Sequence, residues 1–223
     1  MLNKQLLDEI IRASAILEKV TDAGKMASYA KRYSESLAVI DEQGNETGVL
    51  PRGLIHRLGL RHRTVFVFVE KTDGLVLLQT RGSGVMSSAF RLDVTVGGHV
   101  NAEDSDTLIA AVREVEEEIG IKADSSRLKK VAEFNRDSPI TIDKPFEFNR
   151  ERRIVYVYKL SSAEEASLAE SFEKRSIKGE VLKVVYFKSA EVLAAIDEGR
   201  AADGLVSCFP HFLAYRLRES SMK

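Results

Sequence analysis

The stretch REVEEEIGI, Arg113 to Ile121, restricts this chain more than any other. It places Glu114, Glu116, Glu117 and Glu118 side by side in what the pattern predicts to be the end of a helix over 105–119. Leu108, Val112, Val115 and Ile119 recur at the helical period, and Gly120 stands where a helix is stopped. The last turn of a helix carries partial negative charge, so acids there are unfavourable. Glu114 also opposes Glu117 and Glu118 at spacings where like charges cost roughly 0.2–0.5 kcal/mol per pair. Only Arg113, four residues before Glu117, offers relief within the helix. At helical periodicity Glu114, Glu117 and Glu118 share an arc of about 100°, with Glu116 on the other side and the apolar residues on a separate stripe. Thr107, Ala110 and Ala111 lie on the acids' side and are small enough for a loop or ligand to approach. A solvated acidic face is one reading of this pattern, and a cation-binding face is the other.

The segment before the helix favours the cation. AFRLDVTVGGHV alternates like a strand and ends at Gly97-Gly98. A strand, a glycine loop and a helix with three clustered carboxylates build an oxygen-rich pocket. Mg²⁺ is held by a few carboxylates together with waters and substrate phosphates. An ion there would bridge phosphate oxygens and activate a water.

Elsewhere, 3–20 and GKMASYAKRYSESL read as helices, with a domain boundary near residue 36. SLAVIDEQGNETG reads as a strand and turn, and TVFVFVEKTDGLVLLQTR as two strands about Thr72-Asp73-Gly74. LKKVAEFNR, RRIVYVYKL and EVLKVVYF read as strands, with DSPITIDKPFEFN as a loop. SSAEEASLAESFEKRSIKG reads as a loop with at most a helical turn. SAEVLAAIDEG reads as a helix with a serine cap, and SCFPHFLAYRLRES as a final helix. This irregular alternation predicts an α/β fold in layers around a mixed sheet.

Of the 223 residues 33 are basic and 34 acidic, a net charge of −1 that gives no reason to expect nucleic acid or a membrane surface as partner. No apolar run approaches the roughly 20 residues of a membrane span, and the N-terminus lacks the apolar core of a signal peptide. The single cysteine, Cys208, excludes an intrachain disulfide and a cysteine metal cluster. A cytoplasmic location is the resulting expectation.

REVEEEIGI resembles the second half of the Nudix box at Arg113, Glu114, Val115, Glu117, Glu118, Gly120 and Ile121. The first half departs from the box: counted from Gly98, Asp104 takes the first acidic place and one extra residue precedes Arg113. Asp104, Ser105 and Asp106 each also suit a helix N-cap. Upstream, Asp41, Gly44, Gly48, Arg52, His56-Arg57, Gly59, His62-Arg63, Gln79 and Arg81 resemble Nudix proteins related to isopentenyl-diphosphate isomerase. The likeness covers roughly 37–160 and leaves 1–35 as an N-terminal helical extension to a domain of 36–223.

The resemblance implies a Nudix-type α/β/α sandwich and a metal-dependent hydrolase that cleaves the diphosphate of a nucleoside diphosphate derivative or similar X-diphosphate. The cofactor it implies is Mg²⁺ or Mn²⁺. Glu114, Glu117 and Glu118 would be ligands, with a backbone carbonyl at Gly97 or Gly98 completing the set. Glu114 would also orient or deprotonate water, and Arg113 would hold a box carboxylate. Glu151, with Glu147 second, is the candidate additional acid. Arg81 and His99 are candidate substrate contacts; His56 and His62 suit either a phosphate-facing patch or structural hydrogen bonding. The isomerase branch uses a cysteine before the box, and RLDVTVGGHV has none. A non-catalytic Nudix-like binding module is the other alternative. The amphipathic 1–35 segment suits either a homodimer contact or packing on its own domain.

Overall fold

The computed structural model describes residues 34–82, 88–139, 148–174 and 181–222. The helix read at 3–20 and most of the second lie outside these residues, as do 83–87, 140–147 and 175–180. The described chain forms two compact units. One holds the residues up to Arg63 with Asn101–Glu103 and the described part of Arg136–Arg152; the other holds the rest.

In the first unit, β1 (Ser36–Ile40) and β2 (Glu46–Pro51) form an antiparallel pair. Asp41 organises their turn: its Oδ1 accepts from the backbone of Gln43 at 2.9 Å and of Asn45 at 2.8 Å. Helix α1 (Arg52–Leu58) follows at once and stops at Gly59, whose φ of 62° is the left-handed cap conformation. Arg61, buried in this unit, pairs with Glu42 and Asp137.

The larger sheet, most of whose residues belong to the second unit, is built from β3 (Arg61–Glu70), β4 (Val76–Arg81), β5 (Leu92–Val94), β6 (Val96–His99), β7 (Leu128–Pro139), β8 (Phe148–Lys159) and β9 (Val181–Phe187). The order is β5-β4-β3-β8-β7, with β6 on β3 and β9 on β4. Period-two alternation explains why these apolar strands are buried on both faces. Val65, Val67 and Val69 of β3, with Ile154, Tyr156 and Tyr158 of β8, face a core completed by Ala110, Ala111, Val115 and Ile119 of α2 (Thr107–Ile119). Phe68, Val155 and Val157 face the opposite core. Val192 and Ala195 of α4 (Ser189–Asp197) and Leu205, Phe209 and Phe212 of α5 (Asp203–Ser221) fill that side. The rings of Phe68 and Phe212 stack there at 4.6 Å.

The chain of β5 and β6 enters where β3 and β4 diverge. Val69 and Leu77 are still paired, but Thr64–Val67 pair with β6, and Leu78–Thr80 pair with β5. Thr95, between β5 and β6, closes this fork: its hydroxyl donates to the carbonyl of Leu77 and accepts from the amide of Val69. The fork delivers Gly97 and Gly98 to the start of β3.

Two expectations are corrected. Residues 162–174 form a helix, α3 (Ser162–Lys174), rather than a loop. Ser161 Oγ accepts from the Glu164 amide at 3.3 Å, and the Glu164 carboxylate accepts from the Ser161 amide at 2.7 Å. This reciprocal capping box is legible in the S-x-x-E of 161–164. Leu168, 3% exposed, anchors the helix to the core. In α4, Ser189 is the first helical residue, not the cap. The cap is Lys188, whose amide donates to Glu191 at 2.7 Å.

Burial works against the charge of Glu164, but hydrogen bonds from Tyr158, Ser161 and Arg127 outweigh it and bring its pKa from 4.5 to about 2. A depressed carboxylate pKa contributes stability that is present above pH 4.5 and lost as pH falls toward about 2. Acid titration followed by circular dichroism is therefore expected to show a shallower acid limb in Glu164→Gln. Ser161→Ala is expected to cost about 1 kcal/mol in urea unfolding at neutral pH.

Candidate functional site

Helix α2 begins at Thr107 because Asp106 is its cap. The Asp106 backbone is extended, and its Oδ1 accepts from the amides of Leu108 at 2.8 Å and Ile109 at 2.9 Å. The helix ends at Gly120, whose φ of 74° is left-handed and whose amide donates to the Glu116 carbonyl. Val115 and Ile119 are buried, and Leu108 and Val112 pack beside them. Ala110 and Ala111 are fully buried too, so the chain's own core approaches the helix at these small residues.

Arg113 ties the site together. Its guanidinium donates to Asp104 at 2.8 Å, to Glu114 at 2.7 Å and to the carbonyl of His99 at 2.9 Å. The predicted i,i+4 pair with Glu117 is present at 3.5 Å, on a Glu117 side chain that is 57% exposed. Burial opposes the Arg113 charge, but hydrogen bonds and field from Asp104 and Glu114 outweigh it and raise its pKa above the ordinary value. The irregular first half of the motif becomes intelligible here. Asp106 caps the helix, and Asp104, two residues earlier, is the acid that grips Arg113.

Glu114 is 9% exposed and lies against Gly98. A Cβ on Gly98 would stand 2.0 Å from the Glu114 carboxyl carbon. Gly98 is needed for this close approach; it sits in β6 opposite Val65. Gly97 faces the Phe66 ring, 3.2 Å from where its own Cβ would be. Glu118 is held from the sheet, where Gln79 Nε2 donates to its Oε2 at 3.3 Å. Glu116 is exposed on the other side of the helix, as its direction predicts.

The structure engages Arg81 with Asp93 at 2.9 Å. Asp93, 6% exposed, also accepts from the amides of Val94 and Leu205, so it fixes the first turn of α5. Burial pushes its carboxyl above the usual range, opposed by Arg81. The sequence reading missed this role; its signal is an acid inside the apolar strand RLDVTV. His99 contributes its carbonyl to Arg113. In the first unit, His56 and His62 are buried with ring centroids 4.8 Å apart, and His62 Nδ1 lies 3.1 Å from the Leu60 carbonyl. Burial lowers the His62 pKa, opposed by the nearby Glu151, which is 5% exposed. Glu151 belongs to the first unit and the acids of α2 to the second. Glu147 lies outside the described residues. A cavity of about 390 Å³ opens at the far end of β3, beside Glu70, Lys159 and Arg216; no residue of α2 lines it.

The family model described as the NUDIX domain matches residues 60–205. The chain belongs to the Nudix family. Nudix hydrolase 3 of Arabidopsis thaliana is 38% identical over 126 residues, 55% of this chain and 16% of that protein. An isopentenyl-diphosphate Delta-isomerase of Serratia proteamaculans is 31% identical over 109 residues, 49% of this chain and 59% of that one. The chain thus spans less than two thirds of either relative. The crystal structure of DR0079 from Deinococcus radiodurans aligns with a TM-score of 0.57 at 21% identity, covering 78% of this chain and 96% of that one. A MutT protein from Methanosarcina mazei Go1 aligns at 0.51 with 16% identity, covering 70% and 95%. These likenesses establish the Nudix fold, of α/β class with helices around a mixed sheet.

Gly98→Ala is expected to expel the Glu114 carboxylate from its place and to destabilise the protein by about 1–3 kcal/mol, the range for overpacking. Thermal unfolding and a crystal structure of the variant test this; an unmoved Glu114 would contradict the cradle.

Proposed function

We propose that this Nudix protein is a divalent-cation-dependent pyrophosphohydrolase that cleaves the diphosphate of a nucleoside diphosphate derivative or similar X-diphosphate. The observation that carries this reading is the cluster centred on Arg113, in which Glu114 is pressed against Gly98 and shares its helix face with Glu117 and Glu118. The donors suit Mg²⁺ or Mn²⁺: hard carboxylate oxygens, with a backbone carbonyl at Gly97 or Gly98 beside them. Like-charged groups crowded at a helix C-terminus, which repel one another alone, are stabilised by such a cation.

When bound, the cation offsets charge on the diphosphate oxygens and makes water a better nucleophile at neutral pH. Glu117 and Glu118 would hold it, and Glu114 would be a further ligand that also orients and deprotonates the attacking water. Arg113 acts on Glu114 from one side and on the Asp104 loop from the other, fixing the carboxylate's direction. Arg81 is the candidate contact with a substrate phosphate, His99 a candidate substrate contact, and Glu151 the candidate additional acid. The hydrolase domain is taken as 36–223, with 1–35 as an N-terminal extension whose amphipathic sequence suits either a homodimer contact or packing on its own domain.

The relative named as an isomerase makes prenyl diphosphates worth testing as substrates. An isomerase reading itself lacks its cysteine, since 91–100 has none and Cys208 is fully buried in α5. The chain has no described helix long and apolar enough to cross a membrane.

The test is a panel of nucleoside diphosphate derivatives, dinucleotide polyphosphates, nucleotide sugars and prenyl diphosphates with Mg²⁺ or Mn²⁺. Turnover that EDTA abolishes is expected, and Glu114→Gln is expected to slow it by about 10²–10⁴-fold, the usual contribution of a general base. No turnover above a Glu117→Gln, Glu118→Gln double variant would sink the hydrolase. Binding without product would favour the non-catalytic module.

A further inference from the structure

The geometry points to Gln79 as a positioning residue that sets the direction of the Glu118 carboxylate and thereby the affinity of the box for its cation. This rests on the proposed metal role of Glu118. Gln79 lies on β4 with 6% exposure, and its side-chain amide donates to Glu118 Oε2 at 3.3 Å. A buried amide without a partner is costly, so the contact constrains both side chains.

The strand beneath Gln79 is well fixed. Gln79 is paired with Val184 of β9 on one side and with Asp93 of β5 on the other. Asp93 is in turn held by Arg81 and by the amides of Val94 and Leu205. Glu118 stands in the last turn of α2, near Glu114 and the negative end of the helix. Gln79 supplies a fixed anchor from the sheet at that point.

The chemistry of the donor matters. Arg113 orients Glu114 with a full positive charge, which offsets part of the carboxylate's own. Gln79 orients Glu118 with an uncharged amide, which aims the group without adding a positive charge of its own. A lysine at this position would also reach Glu118, but it would compete with the metal for it.

The experiment measures Mn²⁺ affinity by electron paramagnetic resonance on wild type, Gln79→Met, Glu118→Gln and the double variant. Met keeps the length and flexibility of Gln and removes the donor. Gln79→Met alone is expected to weaken Mn²⁺ binding about tenfold, within the range for residues that support metal ligands. In the Glu118→Gln background it is expected to have no further effect, because the two act as a unit. Unchanged affinity in the single variant, or equal weakening in both backgrounds, overturns the inference. The wild-type Gln79 side-chain amide resonance gives a measurement that needs no Gln79 variant. It is expected to shift on Mg²⁺ addition in wild type and to stay still in Glu118→Gln; a resonance that ignores Mg²⁺ in wild type also overturns the inference. If wild type binds Mn²⁺ no better than the Glu117→Gln, Glu118→Gln double variant, the metal reading itself fails and takes this inference with it. A wild type that binds Mn²⁺ while Gln79→Met binds it equally well removes the role of Gln79 alone.

Discussion

One guanidinium holds three parts of the Nudix site in register. Arg113 joins the box helix to the strand before it through the His99 carbonyl, and to the intervening loop through Asp104. It also fixes Glu114 on its own helix. Each contact is charge-assisted or made to a fixed backbone, and such bonds are stronger than neutral ones. The pull of two carboxylates exceeds what Arg113 loses by burial, which is why its pKa rises. Loss of this group would take the Arg113 guanidinium from both the buried Glu114 and Asp104. Removing one member of such a pair costs far more than the pair contributes to stability.

The sheet makes that register possible. β3 carries valines to one core and phenylalanines to the other, so its position is fixed from both faces. The fork closed by Thr95 lets β6 continue along β3 while β4 departs with β5. The glycines therefore reach the box helix from a strand that is paired along its length with β3. A cradle with 9% exposure for Glu114 needs that rigidity, because a flexible loop would let the carboxylate turn outward to water.

Much of this was legible from periodicity. The alternation in TVFVFV and RRIVYVY locates the central strands, and the 3.6-residue recurrence from Leu108 to Ile119 locates the box helix and separates Glu116 from its neighbours. The capping box at Ser161 and Glu164 is equally visible, but the polar run after it carries little helical periodicity; among the described side chains Leu168 anchors that helix to the core. Asp104 and Asp106 could not be separated by sequence, since either side chain suits a cap and only the extended backbone of Asp106 decides. Asp93 and Gln79 owe their roles to strand register. Their contacts reach residues 112 and 39 positions away along the chain, which no local pattern records.

The three acids of the box face are held in three ways, and the differences follow from position. Glu114, nearest the sheet, is buried and fixed by a cation and a missing side chain. Glu117, one turn on, is mostly exposed, with Arg113 at 3.5 Å. Glu118 turns toward β4 and meets a neutral amide. Burial does not follow the order of the chain: Glu117 is exposed between a buried Glu114 and a half-buried Glu118. Arg113 lies 2.7 Å from Glu114 and 3.5 Å from Glu117, so the guanidinium sits closest to the buried acid. The carboxylate pressed between Arg113 and Gly98 has the least room to turn, as a group that must aim a water molecule requires.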